Sequence, residues 1–455
     1  MITTTNPATG ETLAQYAELS DQEIEAKLAL SAKAFADWRL SPLEDRCAVL
    51  DRLADAYDAN ADALARQATL EMGKTIGSAK AEVAKCAQLF RHLAKAGPAM
   101  LEPLHWDLGD DGTAEGHWLP QGTVLAIMPW NFPYWQVARF LGPAIMAGNT
   151  GLLKHASIVQ GSAALIEDMM ELAGAPRGLF QNLAIGSGAV DGILADHRVV
   201  AATLTGSEGA GAAVAASAGK HLKKVVLELG GSDPFIVMPS ADLDKAVEQA
   251  VQARIQNTGQ SCICGKRLIV HAEIYDDFRD RFFAAMEAVV AGDPFDEASD
   301  MGPLSSMTQL ETVVEQLAQA ERDGATLEFG ANRPDGPGAY ITAGVLTGVQ
   351  PGSKTAQDEI FGPIAQLYRA EDAGHAIAIA NAIPFGLGSS VWTEDPEEQR
   401  LFVRDIEAGM TAINRMLASD PRAPFGGIKR SGHGRELSEL GLHEFMNLKT
   451  VFRPA

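Results

Sequence analysis

The chain has 455 residues, of which 46% are hydrophobic, so it is long enough for two or three domains with sizeable apolar cores and is not intrinsically disordered. Its 37 basic and 59 acidic residues give a formal net charge of −22. This charge disfavours nucleic acid and anionic membranes as partners, because no basic stripe offsets it.

The sequence also limits where the protein works. The longest apolar runs, such as residues 124–128, are far too short to span a bilayer. The first ten residues have neither the basic start nor the apolar core of a signal peptide. Four cysteines are too few for a disulfide framework. We therefore expect a cytoplasmic protein.

The predicted elements begin with an Ala-rich helical region over residues 20–97, and from residue 123 short apolar runs alternate with helical segments. This first series predicts strands at 123–128, 151–154, 179–184, 199–205 and 224–229, with helices at 134–147, 160–173 and 207–218. Strands separated by helix-length segments favour a parallel sheet covered on both faces.

A second series starts at residue 234 and predicts a second α/β unit, joined to the first near residues 228–233. Its predicted strands lie at 234–238 and 267–271 and near 341, 365 and 390, and its helices at 241–255 and 273–291. Residues 447–452 form a short apolar strand without an obvious partner. Because a terminal edge strand is usually paired or covered, we interpret it as an oligomer contact.

Two segments lie where a strand runs into a helix, which is where α/β sheets bind ligands. In PWNFP, two prolines set a rigid turn in which Asn131 either points its amide into the crevice or caps the following helix. In residues 204–211 the glycines fall as G-x-x-G-x-G, which does not match the dinucleotide fingerprint. Small residues at a helix N-terminus still let backbone amides approach a phosphate.

A third segment, NTGQSCICGK, contains Cys262 on a predicted helix-to-strand loop among polar residues. Such surroundings favour the partial exposure that a reactive thiolate needs, although a lone cysteine is more often a small buried hydrophobe. No histidine occurs between His221 and His271. A cysteine hydrolase, which needs a positioned histidine, therefore stays a distant alternative.

Taken together, these segments resemble the aldehyde dehydrogenase superfamily over nearly the whole chain. The resemblance is carried by NPATGE (6–11), PWNFP (129–133), LTGS (204–207), LELGG (227–231), NTGQSC (257–262), EIFGP (359–363) and PFGG-x-K-x-SG-x-G-x-E (424–436). It implies an α/β fold with a Rossmann-type cofactor domain, an α/β catalytic domain and a small oligomerisation element.

The resemblance also implies the catalytic residues. Cys262 matches the nucleophile that attacks the aldehyde carbon, and the Asn131 side chain and the Cys262 N–H match the oxyanion donors. Glu228 in LELGG matches the base that activates water for thioester hydrolysis. Although Glu228 follows Gly206 by 22 residues, the spacing of a ribose-binding acid, we assign it the role of base. No metal ligands are predicted.

The implied cofactor site consists of Trp130, Lys154, Ser157, Gly206, Ser207 and Glu359. Ser157 determines the expected cofactor, because NAD-preferring relatives often carry Glu at this position, and a carboxylate repels a 2'-phosphate. A serine can donate to that phosphate instead. We therefore expect NADP to be preferred and NAD to be tolerated.

The implied substrate is succinate semialdehyde, with glutarate semialdehyde or a broad range of aldehydes as alternatives. In the succinate-semialdehyde branch, residues matching Arg139 and Ser419 bind the far carboxylate; the alternative for Arg139 is a structural salt bridge. Some of these enzymes carry a second Arg where this chain has Gln256. Cys264 is a possible redox partner of Cys262 in a reversible disulfide, or else a small buried hydrophobe.

The resemblance further predicts how the chain is divided and assembled. We expect a cofactor-binding domain at 1–228 with an oligomerisation strand element near 115–128, a catalytic domain at 229–428, and a C-terminal return and oligomerisation tail at 429–455. We expect a homodimer or homotetramer acting on a small-molecule aldehyde.

Overall fold

The computed structural model describes residues 1–455, and the first half of the chain follows the predicted order of elements. Its helices and strands are β1 (Ile2–Thr5), β2 (Thr12–Tyr16), α1 (Asp21–Trp38), α2 (Leu43–Ala59), α3 (Ala61–Met72), α4 (Ile76–Met100), β3 (Leu104–Asp107), β4 (Thr113–Pro120), β5 (Thr123–Met128), α5 (Trp135–Ala147), β6 (Thr150–His155), α6 (Gln160–Leu172), β7 (Phe180–Asn182), α7 (Val190–Ala195), β8 (Val199–Thr205), α8 (Glu208–Lys220) and β9 (Lys224–Glu228).

The second half also alternates strands with helices. It contains β10 (Asp233–Val237), α9 (Leu243–Ile255), β11 (Gly265–His271), α10 (Tyr275–Glu287), α11 (Met307–Arg322), β12 (Thr326–Gly330), β13 (Gly344–Thr347), α12 (Lys354–Gln357), β14 (Ile364–Ala370), α13 (Ala373–Asn381), β15 (Phe385–Gly386), β16 (Gly388–Trp392), α14 (Pro396–Asp405), β17 (Met410–Ile413), β18 (Ile428–Lys429), β19 (Gly432–His433), α15 (Ser438–His443) and β20 (Met446–Arg453).

The first large sheet has the strand order β19-β9-β8-β5-β6-β7. The strands from β9 to β7 are parallel, as predicted, and β19 pairs antiparallel with β9. The last segment of the chain thus returns to the first sheet. β5 is buried on both faces, which explains its continuous apolar sequence.

The second sheet has the order β12-β13-β14-β11-β10-β16-β17, with only β12 antiparallel to its neighbour. The strand predicted near residue 341 lies slightly later, at Gly344–Thr347, and the helix predicted over 273–291 ends at Glu287. Both differences are shifts of an element boundary, which periodicity locates poorly.

The terminal strand β20 has a partner within the same chain. It pairs antiparallel with β4, and β3 completes a separate three-stranded sheet. Within the predicted 115–128 element, only β4 belongs to this sheet, because β5 lies in the centre of the first large sheet. Trp106 and Phe452 leave apolar surface exposed on the three-stranded sheet.

Helix α4 connects the N-terminal core to the site described below. The Thr75 side chain caps it by accepting a hydrogen bond from the Ser78 N–H. Val83, Leu89 and Phe90 on its inner face are buried in a core that α2, α5 and α6 share. No helix in the protein is both long and apolar enough to cross a membrane.

Candidate active site

The carboxyl edge of the first sheet brings the first two predicted segments together. Ile127 on β5 pairs with Lys154 on β6, and Thr205 on β8 pairs with Glu228 on β9. The turn after β5 and the loop after β8 therefore start at the same edge of the sheet. Lys154 and Glu228 lie at this edge as well.

The buried Glu82 side chain holds the turn that contains Asn131 from one side. Glu82 on α4 accepts hydrogen bonds through Oε1 from the backbone N–H groups of Tyr134 at 2.8 Å and Trp135 at 2.9 Å. Its other oxygen forms a buried ion pair with Lys74. The carboxylate also lies at the N-terminus of α5, where negative charge is stabilising.

On the other side of the turn, His155 links two strand ends. Its Nε2 lies 2.9 Å from the Pro133 oxygen, and its Nδ1 accepts from the Ala156 N–H at 2.9 Å. Burial lowers the pKa of His155 to about 4. The histidine is therefore neutral at physiological pH, with its proton on Nε2.

The loop before Cys262 has an unusual backbone. Asn257, Thr258 and Gly259 all have positive φ angles of 52°, 57° and 72°, a conformation that costs a β-branched residue such as threonine of order 1–3 kcal/mol. The loop is fixed by the Asn257 Nδ2, which donates to the backbone carbonyl oxygen of Asn131 at 2.8 Å. The Asn131 Nδ2 donates in turn to the backbone carbonyl oxygen of Gln260 at 3.1 Å.

Cys262 is half-buried and lies where two cavities meet, because it lines both of them. Burial raises the pKa of its thiol to about 12, against the opposing charges of Arg139 and Lys266. Lys266 is itself buried and donates from Nζ to the Cys262 oxygen at 2.8 Å. Lys266 thus holds the backbone of Cys262, and the thiol needs a base to become nucleophilic.

The first cavity, of about 270 Å³, opens at the carboxyl edge of the first sheet. Four of the predicted cofactor residues line it, namely Trp130, Gly206, Ser207 and Glu359. Lys154 and Ser157 lie outside its lining; Ser157 is exposed just beyond β6. Glu359 forms an ion pair with Lys266 at 3.0 Å, which connects this wall to the Cys262 loop.

Glu228 lies in the same cavity and is 2% exposed. Neither of its carboxylate oxygens has a hydrogen-bond partner in the chain. Burial, followed by the nearby Glu436 carboxylate, raises the pKa of Glu228 well above its ordinary value. A Cβ on Gly426 would lie 2.7 Å from the Glu228 Oε1, so only glycine leaves this carboxyl its space.

The second cavity, of about 180 Å³, lies on the other side of Cys262. Its polar and aromatic lining includes the predicted residues Arg139, Gln256 and Ser419, together with Lys85, Phe132, Trp135, Gln136 and Phe425. The Ser419 Oγ accepts from the Lys85 Nζ at 2.7 Å and from the Trp135 Nε1 at 3.2 Å. This cavity therefore combines an apolar wall with several hydrogen-bond donors.

Arg139 lines the second cavity but is also paired within the protein. Its Nε lies 2.7 Å from the Glu436 Oε2, and its Nη2 donates to the Gln136 Oε1. The guanidinium carbon lies 4.4 Å from the centre of the Phe425 ring. The structural salt bridge, which was the alternative interpretation of Arg139 in the sequence, is thus present between Arg139 and Glu436.

Cys264 is buried, and its Sγ lies 3.7 Å from the Gln256 oxygen. All four cysteines are free thiols. No group of three or more His, Cys, Asp or Glu side chains is placed to hold a metal ion.

Sequence reasoning missed four residues that shape this site, Glu82, Lys85, His155 and Lys266. Glu82 and Lys85 lie on α4, 49 and 46 residues before Asn131, so no local motif connects them to the turn. Lys266 follows Cys262 by four residues. Its position just before the apolar run 268–270 was a sequence signal that its charge needs a specific partner.

The fold and the site together define a class of protein. A thiol between a second cavity and a crevice at the carboxyl edge of a Rossmann-type sheet is the arrangement of a cysteine-dependent dehydrogenase. The sequence profile of the Aldehyde dehydrogenase family matches residues 1–451. The chain belongs to this family.

Individual relatives extend the similarity to full length. A Mycobacterium bovis protein named succinate-semialdehyde dehydrogenase (NADP+) 1 is 50% identical over 453 residues, covering 99% of both chains. Its Mycobacterium ulcerans namesake is 51% identical over 454 residues, again covering 99% of both. A crystal structure of succinic semialdehyde dehydrogenase from Streptococcus pyogenes in complex with NADP+ is 36% identical, with a TM-score of 0.98 over 100% of both chains.

Proposed function

We propose that this protein oxidises succinate semialdehyde to succinate with NADP+ as the cofactor. The observation that carries the proposal is the position of Cys262, which lines both cavities. The first contains four of the predicted cofactor residues and the second contains the predicted substrate residues. The names of relatives that are 50% and 51% identical over 99% of both chains support the substrate and the cofactor.

The cofactor fits the first cavity together with two residues beyond its lining, Lys154 and Ser157, at and just after the end of β6. Lys154 has a lowered pKa because of burial and makes no ion pair within the chain, so a phosphate or ribose oxygen would relieve its desolvation. Ser157 brings no negative charge to repel a 2'-phosphate, and we expect NAD to be accepted less well. Trp130, Gly206, Ser207 and Glu359 would hold the remainder. When bound, NADP+ supplies the acceptor for the hydride that the aldehyde carbon loses.

The residues of the chain supply the covalent chemistry. Glu228 takes the proton of the Cys262 thiol, the sulfur attacks the aldehyde carbon, and the oxygen of the resulting thiohemiacetal is stabilised by the Asn131 amide and the Cys262 N–H. After loss of the hydride the acyl group remains on Cys262 as a thioester. Glu228, having passed the first proton to solvent, removes a proton from the water that hydrolyses this thioester, and the Cys262 thiolate leaves. Its raised pKa makes it basic enough for that task once it is ionised.

The proposal also includes the domain boundaries of the chain and its oligomeric state. We propose a cofactor-binding domain at 1–228, a catalytic domain at 229–428 and a C-terminal return at 429–455. We assign the sheet of β3, β4 and β20 to a contact in a homodimer or homotetramer, because Trp106 and Phe452 are exposed there by 41% and 72%. We propose that the protein acts in the cytoplasm.

The test is the stoichiometry of the reaction. Purified enzyme with succinate semialdehyde and NADP+ is expected to form one NADPH, followed at 340 nm, for each succinate detected by NMR. NAD+ is expected to give a lower kcat/KM. The C262S variant is expected to form neither product. Succinate formed without NADPH would contradict the proposal and favour a hydrolytic or other reaction.

A further inference from the structure

The second cavity contains one cation that has no acidic partner, Lys85. Arg139 is paired with Glu436 at 2.7 Å, and Asp420 is paired with Arg422 at 2.7 Å. Lys85 has no carboxylate oxygen within 4.0 Å, although it is largely shielded from solvent. Because a buried charge is costly without a counter-charge, this lysine is arranged to receive one from outside the chain.

The hydrogen bonds around Lys85 show which kind of group it would receive. The Lys85 Nζ uses one of its donors on the Ser419 Oγ at 2.7 Å, and the Trp135 Nε1 donates to the same oxygen at 3.2 Å. The Ser419 hydroxyl thus accepts twice within the chain, and its own proton has no acceptor there. Lys85 and Ser419 together present donors to the cavity and no acceptor, which suits a carboxylate.

We propose that Lys85, together with Ser419, binds the far carboxylate of the substrate and sets the preference for semialdehydes over neutral aldehydes. This inference rests on the proposed function. Arg139 lines the same cavity and adds a second positive charge, although its Nε lies against Glu436 and its Nη2 donates to Gln136. The Lys85 Nζ also lies 4.5 Å from the centre of the Trp135 ring, which keeps the ammonium at the cavity wall.

The electrostatic surroundings add a dependence on pH. Burial, followed by the positive charge of Arg139, lowers the pKa of Lys85 to about 8. The charged and titratable groups around it are Glu82 and Cys86 on α4, Arg139 on α5, and Asp420 with its partner Arg422 after β17. Below pH 8 Lys85 is charged and binds a carboxylate; above pH 8 it becomes neutral, and the KM for the semialdehyde rises.

The experiment compares kcat/KM for succinate semialdehyde with that for butanal, which has the same four-carbon length but no carboxylate. In K85M the ratio of the two is expected to fall roughly 10- to 100-fold, the usual worth of a hydrogen bond to a charged group. K85R is expected to restore most of the ratio and to remove its decline above pH 8, because arginine stays charged. K80M is the matched control, since Lys80 lies on the same helix but is exposed and pairs with Asp62.

The outcomes separate this inference from the proposed function. If the wild-type enzyme shows no preference for the semialdehyde, the proposed function itself fails. If the wild type has the preference and K85M keeps it, the role of Lys85 is wrong. An equal loss with both substrates in K85M, with no rescue in K85R, would mean that Lys85 is only structural and would also overturn the inference.

Discussion

The buried ion pair beneath the Asn131 turn gives the sharpest stability prediction. The side chains of Lys74 and Glu82 are 0% and 2% exposed, and Glu82 also binds two backbone N–H groups of the turn. The E82Q substitution keeps the size of the side chain and an oxygen for those N–H groups. It leaves the Lys74 ammonium without a counter-charge in the core.

Two estimates bound the loss of unfolding free energy in E82Q. Removing one partner of a buried pair costs about 3–5 kcal/mol. Lys74 can instead lose its proton, which at pH 7 costs about 4.6 kcal/mol, because an ordinary lysine pKa of about 10.4 lies about 3.4 pH units higher and each unit is worth about 1.36 kcal/mol. We therefore expect E82Q to lower the free energy of unfolding by about 3 to 4.6 kcal/mol at pH 7.

Urea denaturation followed by tryptophan fluorescence measures this change. The penalty is expected to shrink as the pH rises toward 10, because the unpaired Lys74 is protonated in the unfolded state and neutral in the folded state of E82Q, and this difference vanishes above the unfolded pKa. The double variant K74M/E82Q is expected to recover much of the loss. E315Q, which breaks an exposed pair with Arg322, is expected to cost less than about 1 kcal/mol. A loss below 1 kcal/mol in E82Q, or no recovery in the double variant, would refute the reasoning.

Three further predictions concern the reaction. N131A is expected to lower kcat by about 10²- to 10³-fold through loss of an oxyanion donor; steady-state kinetics checks this, and an unchanged kcat would remove Asn131 from the mechanism. The kcat for butanal is expected to rise with pH above the range in which a carboxyl ordinarily titrates, because burial raises the pKa of Glu228 and only its ionised form is a base. E228Q is expected to lower kcat by about 10²- to 10⁴-fold and to flatten that profile; the same slope in both enzymes would assign the titration elsewhere. S157E is expected to reverse the cofactor preference in favour of NAD by repelling the 2'-phosphate, and a kcat/KM ratio for the two cofactors equal to that of the wild type would show that position 157 does not select.

The strands of the first sheet were the most predictable part of the fold. The strands predicted at 123–128 and 199–205 are found with those boundaries, because strands buried on both faces read as continuous apolar runs. The partner of β20 was not predictable, since β4 precedes it by more than 300 residues and a short edge strand has no sequence signal for its register.

The candidate site was predictable only where a motif is contiguous. Cys262, Asn131 and Glu228 each lie in a short contiguous motif through which the sequence resembles the family, and their roles were implied by that resemblance. The supporting charges do not, because α4 brings Glu82 and Lys85 to the site from a helix whose sequence shows only a helical period. Arg139 was predictable as a residue that needs a partner, but its partner Glu436 is almost 300 residues later.

The most direct test of the central claim is the kcat/KM of the wild-type enzyme for succinate semialdehyde relative to butanal, measured with NADP+ at pH 7. The two aldehydes share the Cys262 chemistry and differ in the carboxylate that the second cavity would bind. We expect the semialdehyde to be favoured by at least 10-fold, the worth of about 1.4 kcal/mol. Equal values for the two aldehydes would contradict the account, because the second cavity would then not recognise a carboxylate.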